Sequence, residues 1–391
     1  MPAKVCLVST THSLTDGRIF YRESTTLSKE YNTTVIGKGD SDRVRFLANT
    51  RLVYLSAPRA RIFHAALVMK AFVMILREKP SIIQCHEPDT LALARLVRFL
   101  SGGRIKVVYD VHEHYPSLWS TRKFLPKTLQ ALLARSIDVF ERSLSGGADA
   151  VLAVSDSVGR RFHHAKSGPF IIPNYPWRSA YQDSTYVRQK ATQESAPVIL
   201  YAGSVDEKRG IVQFILALKH VRERIPIVKF VILGSLNIGK ELWDDIASFL
   251  RRQNLEDNFE IKPHLPYFDY YRTLCTATVG VILFQPTLLN NIIGLPNKLF
   301  DYMGAGIPVV ASDFCEIRKI VMRCKCGLLV DPTQPSQIAE AISELISNDE
   351  LATTMGKEGR RAILETYNWE SEEGNLLAVY RKLLSRGTER G

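Results

Sequence analysis

The chain has 391 residues, 46% of them hydrophobic and 23% charged, with a formal net charge of +11. It is long enough for two α/β domains and too mixed for a disordered or fibrous protein, and six scattered cysteines without a CxxC pair exclude a disulfide framework and suit a reducing compartment. The charge is lopsided: residues 1–175 hold 25 Lys and Arg against 14 Asp and Glu, whereas residues 176–391 hold 26 of each, so the first half suits an anionic partner or carries a mildly basic solvated face.

Strand-like runs alternate with helix-period segments throughout, the pattern of parallel sheets covered on both faces. The first run, 5–9, follows directly on Pro2-Ala3-Lys4, so no signal peptide is expected and the chain reads as cytoplasmic. Its loop, Thr10 to Arg18, leads into a helix over 19–30. Gly17 can bring backbone amides close to a phosphate there, and Asp16 either acts on a ligand or caps the helix. After the run 34–37, Asp40-Ser41-Asp42 has the spacing of a metal-binding DxD pair but sits in a polar loop after Gly39, which reads as a turn. The longest apolar stretch, 62–76, is broken by His64 and Lys70 and falls short of the ~20 residues a membrane span needs.

The runs 82–86, 107–110 and 151–154 complete the first half. Cys85-His86-Glu87-Pro88-Asp89 and Asp110-Val111-His112-Glu113-His114 mark two of their ends. A metal held by His86, His112 and His114 is one reading, opposed by the His-x-His spacing, which puts two rings on opposite faces, and by the lack of an HExxH pattern. Residues 174–196, rich in Tyr, Pro, Ser and Gln without either period, read as a linker. The second half carries runs at 198–201, 230–233, 259–261, 279–283, 309–311 and 328–330. After the first of these, Gly203-Ser204-Val205-Asp206-Glu207-Lys208-Arg209-Gly210 places cations at a helix start, where the dipole disfavours them. Phe284, Gln285, Asn290 and Asn291 offer weak candidates for pocket walls. Further on, Pro296 and Asn297 offer an N-cap to a helix over 298–303, whose free amides suit a phosphate, and Asp301, one turn in, suits ribose hydroxyls. Gly304 and Gly306 end that helix.

The segment from Pro296 to Val309 resembles the C-terminal donor motif of GT-B glycosyltransferases of the large retaining family 4, which often reads Pro-x-Lys-hydrophobic-x-Glu-Tyr-Met-Ala-x-Gly-x-Pro-Val. Asp301 stands where Glu is usual, and Ile293 stands where many members carry a second Glu. Asp110 to Glu113 resembles the family's Asp-x-His-Glu segment, and Asp16 to Ile19 an Asp-x-Arg-Ile signature. The likeness covers nearly the whole chain.

It implies an α/β GT-B architecture, two Rossmann-like domains with parallel sheets facing each other across a cleft. Residues 1–173 would form the acceptor-side domain, 174–196 the linker, 197–370 the nucleotide-sugar domain, and 371–391 a helix crossing back to the first. The implied activity is retaining transfer of a sugar from a nucleoside-diphosphate sugar to a hydroxyl of a glycan or lipid-linked acceptor, in bacterial cell-surface polysaccharide assembly, without a metal or other cofactor. Catalytic roles fall to His112, as a hydrogen-bond donor to the sugar or leaving phosphate, and to Asp16, Arg209 and Lys298. Donor contacts fall to Gly17, Gly203, Ser204, Arg209, Pro296, Asn297, Lys298, Leu299 and Asp301, and the acceptor side to Asp16, Arg18, His86 and Glu113. Ser204 takes a place usually held by Arg, so Arg209 and Lys298 form the cation pair for the diphosphate.

Two other functions fit the same residues, a sugar-nucleotide epimerase and a basic anion-binding module, though no nucleic-acid motif occurs and no nucleic acid is expected as partner. Residues 59–79 and 122–142 combine basic side chains with apolar ones at helical spacing. Such helices either lie on an anionic membrane, placing the protein at the inner face of the cell membrane, or turn their apolar stripes into the core.

Overall fold

The computed structural model describes residues 2–39, 42–56, 64–120, 125–182, 196–265 and 267–388. The chain divides into two units, Met1–Asn174 with Glu370–Gly391, and Tyr175–Trp369.

Among the described residues the first unit builds an eight-stranded sheet from β1 (Lys4–Ser13), β2 (Asn32–Gly39), β3 (Arg43–Leu47), β4 (Thr50–Ser56), β5 (Ile82–Cys85), β6 (Lys106–Val111), β7 (Ala150–Ala153) and β8 (Phe170–Ile171), in the order β3-β4-β2-β1-β5-β6-β7-β8. All pairs are parallel except β3 with β4. Helices cover both faces of a parallel sheet, so its central strands read as unbroken apolar runs; Val5, Cys6, Leu7 and Val8 are each at most 1% exposed. The edge hairpin of β3 and β4 was not among the expected strands. Arg43-Val44-Arg45-Phe46 alternates, and Ala48-Asn49 turns it with φ of 47° and 62°, the left-handed pair that two-residue hairpins use. Every residue of β3 is exposed.

The expected helix over 19–30 is a π-helical turn, Ile19–Ser24, running into a short α-helical piece, Thr25–Leu27. The Ser24 and Thr25 hydroxyls both donate to the Phe20 carbonyl, at 2.9 and 3.0 Å, which widens the turn. The last helix, Trp369–Thr388, starts two residues before the expected 371 and belongs to this unit from Glu370 on. Tyr380, fully buried, donates to Gln84 on β5, and Glu373 accepts from the Thr26 hydroxyl at 3.0 Å.

The second unit holds a six-stranded parallel sheet of β9 (Val198–Ala202), β10 (Lys229–Leu233), β11 (Phe259–Lys262), β12 (Val279–Ile282), β13 (Val309–Ser312) and β14 (Gly327–Val330), in the order β11-β10-β9-β12-β13-β14. One apolar cluster lies on each side of it. Tyr302 crosses the sheet backbone, donating to the Leu200 carbonyl at 3.0 Å and accepting from the Ala202 amide at 2.7 Å, and so fixes the helix Asn297–Gly304 against β9. Part of the expected linker is built into this unit. Tyr181 is fully buried and donates to Asp301 at 2.9 Å, and Trp177 packs against Trp369 at 6.5 Å between ring centres. The remainder of that linker, 183–195, lies outside the described residues, as do Asp40 and Ser41. Asp42 accepts from the Ser56 amide and from Lys70, which accounts for its half of the DxD spacing as a turn contact. Among the described residues no helix is long and apolar enough to cross a membrane.

Candidate functional site

In open α/β sheets ligands bind beyond the carboxyl ends of the strands. The loops after β1 and β5 are stitched there by one carboxylate. Glu87, 1% exposed, accepts from the Ser9 hydroxyl at 2.5 Å, the Thr11 hydroxyl at 2.6 Å and the Thr10 amide at 3.3 Å. Burial raises its pKa, but His86 and these hydroxyl donors reverse the effect and hold it below the usual carboxylate range.

A charge cluster is buried in the same unit. Arg18 grips Asp110 with two parallel bonds of 2.9 and 2.8 Å, donates to the Ile172 carbonyl at 2.8 Å and lies 3.1 Å from Glu23. Burial alone would raise the Asp110 pKa, but the Arg18 guanidinium and His112 hold it well below the usual range. Burial and the Asp110 charge together push Glu23 well above its ordinary value against the pull of Arg18, and it accepts from the Gln84 amide at 2.7 Å. His112 Nε2 is 2.6 Å from Asp110 and 3.1 Å from His86 Nδ1. Burial keeps His112 below its ordinary pKa despite Asp110. An ionised carboxylate only accepts, so the neutral ring gives its Nε2 proton to Asp110 and leaves Nδ1 as an acceptor. On that tautomer Nδ1 accepts from a sugar hydroxyl, whereas the expected donor role needs the proton on Nδ1.

His86 Nδ1, Asp110 and His112 Nε2 lie within 4.8 Å of one another, whereas His114 does not join them. The convergence comes from neighbouring strands β5 and β6, and the Arg18 guanidinium across both Asp110 oxygens opposes a cation there. His114 Nδ1 instead accepts the Ser117 amide at 3.1 Å. Burial, helped by Arg161, pushes its pKa down to about 4. A folded-state pKa below the unfolded value of ~6.5 means that the unfolded chain binds the extra proton between these values, so stability falls as pH drops through that window. Melting at pH 7 and pH 5 should show a loss of about 1–2 kcal/mol that His114→Gln removes; an identical pH slope in the variant counts against this assignment.

In the second unit the loop after β9 and the start of the helix Asn297–Gly304 bring the two expected cations together. Lys298 Nζ lies 4.2 Å from the centre of the Tyr201 ring and 5.8 Å from that of Phe284, and the Arg209 guanidinium carbon lies 5.9 Å from the same Phe284 ring. Gly203 turns at φ 94°, and a Cβ there would stand 3.7 Å from Lys298 Nζ, so the ammonium faces that loop. Gly210, at φ 82°, lets the chain enter the helix Ile211–Arg224 against the Leu283 carbonyl. Lys298 Nζ is buried and has no hydrogen-bond partner among the described residues. Burial first, then the Arg209 charge, presses its pKa well below the usual lysine value, with Asp301 and Asp206 pulling the other way. Arg209 donates to the Ser204 carbonyl at 2.8 Å, and the Ser204 hydroxyl accepts from Asn237 at 2.5 Å.

Several expected site residues are placed otherwise. Arg18 and His86, assigned to the acceptor side, are 3% and 0% exposed; the Arg18 guanidinium and His86 Nδ1 face Asp110, and His86 Nε2 is buried without a hydrogen-bond partner among the described residues. Leu299, assigned to the donor, is fully buried in the apolar cluster, because the helix turns that face inward. Asn297 is the first helical residue rather than the cap, a position held by Pro296 without a side-chain bond. Asp16 takes the capping alternative, accepting the Arg18 and Ile19 amides at 2.7 and 3.1 Å; burial raises its pKa, but these two bonds outweigh it and leave it lowered. The Gly17 carbonyl accepts from Arg22 at 2.7 Å. Glu113 is exposed and lines a cavity with His12 and Glu87. Asp301 accepts from Tyr181 and Tyr270, each at 2.9 Å. Gln285 and Asn291 staple loops rather than line a wall: the Gln285 amide donates to the Leu283 and Pro332 carbonyls and that of Asn291 to the Lys208 carbonyl. Asp110 as the hub, Glu23 and Gln84 were not among the expected site residues. Only the first had a signal, its place in Asp-x-His-Glu.

Two parallel sheets with charged loops at their carboxyl ends, the second holding a paired cation site, define the class: the chain belongs to the GT-B glycosyltransferases. Residues 17–174 match the model described as Glycosyltransferase Family 4, and residues 182–362 that of Glycosyl transferases group 1. The chain is 24% identical over 265 residues to the alpha-maltose-1-phosphate synthase of Mycolicibacterium smegmatis, a match over 62% of this chain and 65% of that protein, just under two-thirds of its length. It is 23% identical over 293 residues to the GDP-mannose-dependent alpha-(1-6)-phosphatidylinositol monomannoside mannosyltransferase of Mycobacterium tuberculosis, over 72% of this chain and 70% of the other. Its fold is shared with a sucrose-phosphate synthase from Thermosynechococcus elongatus, at a TM-score of 0.78 and 18% identity, covering 98% and 100% of the two chains.

Proposed function

We propose that the protein moves a sugar from a nucleoside-diphosphate sugar to an acceptor hydroxyl with retention of configuration and without a metal. The observation that carries this reading is the buried Lys298 ammonium that lacks a partner among the described residues. A diphosphate supplies the missing counter-charge. As the bond from the anomeric carbon to the leaving oxygen breaks, negative charge grows on the phosphate, and Lys298 and Arg209 stabilise it more in the transition state than in the bound substrate. The leaving phosphate oxygen takes the acceptor proton as the new bond forms on the same face, so no separate carboxylate base is needed. His112 Nδ1 accepts from a hydroxyl of the transferred sugar, and Asp301, oriented by Tyr181 and Tyr270, is the carboxylate proposed to accept from the ribose hydroxyls. The mannosyltransferase relative is named for a GDP-mannose donor and a lipid acceptor, and a glycan or lipid-linked acceptor at the inner face of the cell membrane is the setting proposed here.

Thermal shift against a panel of nucleotide sugars, followed by turnover in the presence of a chelator, tests the reading. Arg209→Ala should lower kcat by about 10–100-fold with a smaller change in KM, since its contact strengthens as the diphosphate departs. Turnover that vanishes with chelator, or an Arg209→Ala variant altered only in KM, overturns it.

A further inference from the structure

The apolar stripes of the first unit do not all face the core. The helix His64–Glu78 buries Leu67, Ala71 and Ile75, while Met69, Val73 and Leu76 are 61%, 40% and 42% exposed. The helix Lys127–Ser145 buries only Glu141 and Ser145, and its Leu132, Val139 and Phe140 are exposed. These two helices, with Pro88–Leu100 and Tyr115–Trp119, wall a cavity of about 1050 Å³. Val68, Phe72, Leu93, Leu118, Ile137 and Phe140 make up much of its wall. Ligand pockets usually measure ~300–1,000 Å³, and an exposed apolar concavity of this size marks a binding site.

One end of the cavity is polar. It is formed by His12, Glu87, Asp89, Glu113 and His64, from the loops after β1, β5 and β6 and the start of the first wall helix. The His12 ring lies 4.9 Å from that of His112. The apolar volume therefore opens onto the side chains assigned above to sugar chemistry. The three carboxylates make this end negative, which repels a phosphate, and the exposed Glu113 beside the His12 ring suits hydroxyls. The arrangement is that of an apolar cavity with a hydroxyl-accepting end.

We propose that this cavity holds the hydrocarbon chain of the acceptor, a lipid whose headgroup is uncharged and hydroxyl-bearing, with the headgroup at His12 and Glu113. The proposal rests on the glycosyl-transfer reading for its consequence, but its test does not require turnover. Binding of alkyl β-glucosides with six to nine carbons, kept below micelle formation, is followed on the full chain by fluorescence of Trp119, which lines the cavity. Trp119→Phe assigns the signal. Affinity should rise roughly fourfold per added methylene, the increment for burying one CH₂. Octyl sulfate should bind at least tenfold more weakly than octyl glucoside. Met69→Glu and Phe140→Glu, both at exposed positions that tolerate a charge, should keep the melting temperature and flatten the chain-length slope. No slope in the parent protein, equal or tighter binding of octyl sulfate, or an unchanged slope in both variants overturns the proposal. So does partition onto vesicles with no alkyl glucoside binding, which would make the face a bilayer contact only. A protein that binds the series yet turns over no nucleotide sugar would instead defeat the catalytic reading.

Discussion

Lys298→Met is expected to lower kcat by about 10²–10³-fold and, in the same protein, to raise the melting temperature. The first effect follows from losing one fixed positive charge aimed at a developing anion, worth ~3–4 kcal/mol in an enclosed site. The second follows from the state without ligand. There the ammonium is buried with no bonding partner among the described residues, and a methionine of similar length fills the space beside Tyr201 and Phe284 without the desolvation cost. The paired measurement, turnover and thermal melting on one preparation, separates a ligand-directed charge from a structural one. A structural lysine would lose stability on this change, and an uninvolved one would keep its turnover.

Arg18→Leu should destabilise the first unit by about 3–5 kcal/mol, the usual consequence of leaving a buried carboxylate without its partner. Asp110 would lose two parallel bonds and the charge that keeps it ionised, and the Ile172 carbonyl a third bond. The double change Arg18→Leu with Asp110→Leu should recover much of that loss, relative to Arg18→Leu and Asp110→Leu alone, because neither charge then remains to be desolvated. Urea midpoints of the two single variants and the double variant provide the check. If the double variant were as unstable as the sum of the singles, the pair would not be acting as a unit.

The comparison of these two arginines explains what the sequence could and could not convey. Arg209 and Lys298 stood out because each lies at a helix start, Arg209 in the loop after β9 beside Gly210 and Lys298 behind Pro296 and Asn297, where the dipole disfavours a cation without a ligand. Arg18 has the same local signature, next to Gly17 at a loop end, yet points inward. Its partner lies 92 residues away on β6, and nothing in the loop encodes that pairing. His86 failed for the same reason, and the Gln84–Tyr380 bond links residues 296 apart. The central strands were legible because burial on both faces leaves continuous apolar runs. The hairpin of β3 and β4 was harder, since its outer strand is exposed along its whole length and its turn uses alanine and asparagine where glycine would have announced it. Leu299 shows the converse limit. A motif gives the helix but not which of its faces turns to the core.

The first unit is discontinuous in sequence, closed by a helix that begins after the whole of the second. Domains tend to fold as they leave the ribosome, the N-terminal one first. Here the order is constrained to be different. Until residue 370 has been synthesised and the helix beyond it docked, Gln84 lacks Tyr380 and Glu30 lacks Arg381. The nascent N-terminal half must therefore wait, incompletely packed, while Tyr175–Trp369 is made and can already fold. A nascent chain stalled before residue 370 would carry Tyr175–Trp369 ready to fold beside a first unit still lacking its closing helix, and proteases would find that unit open.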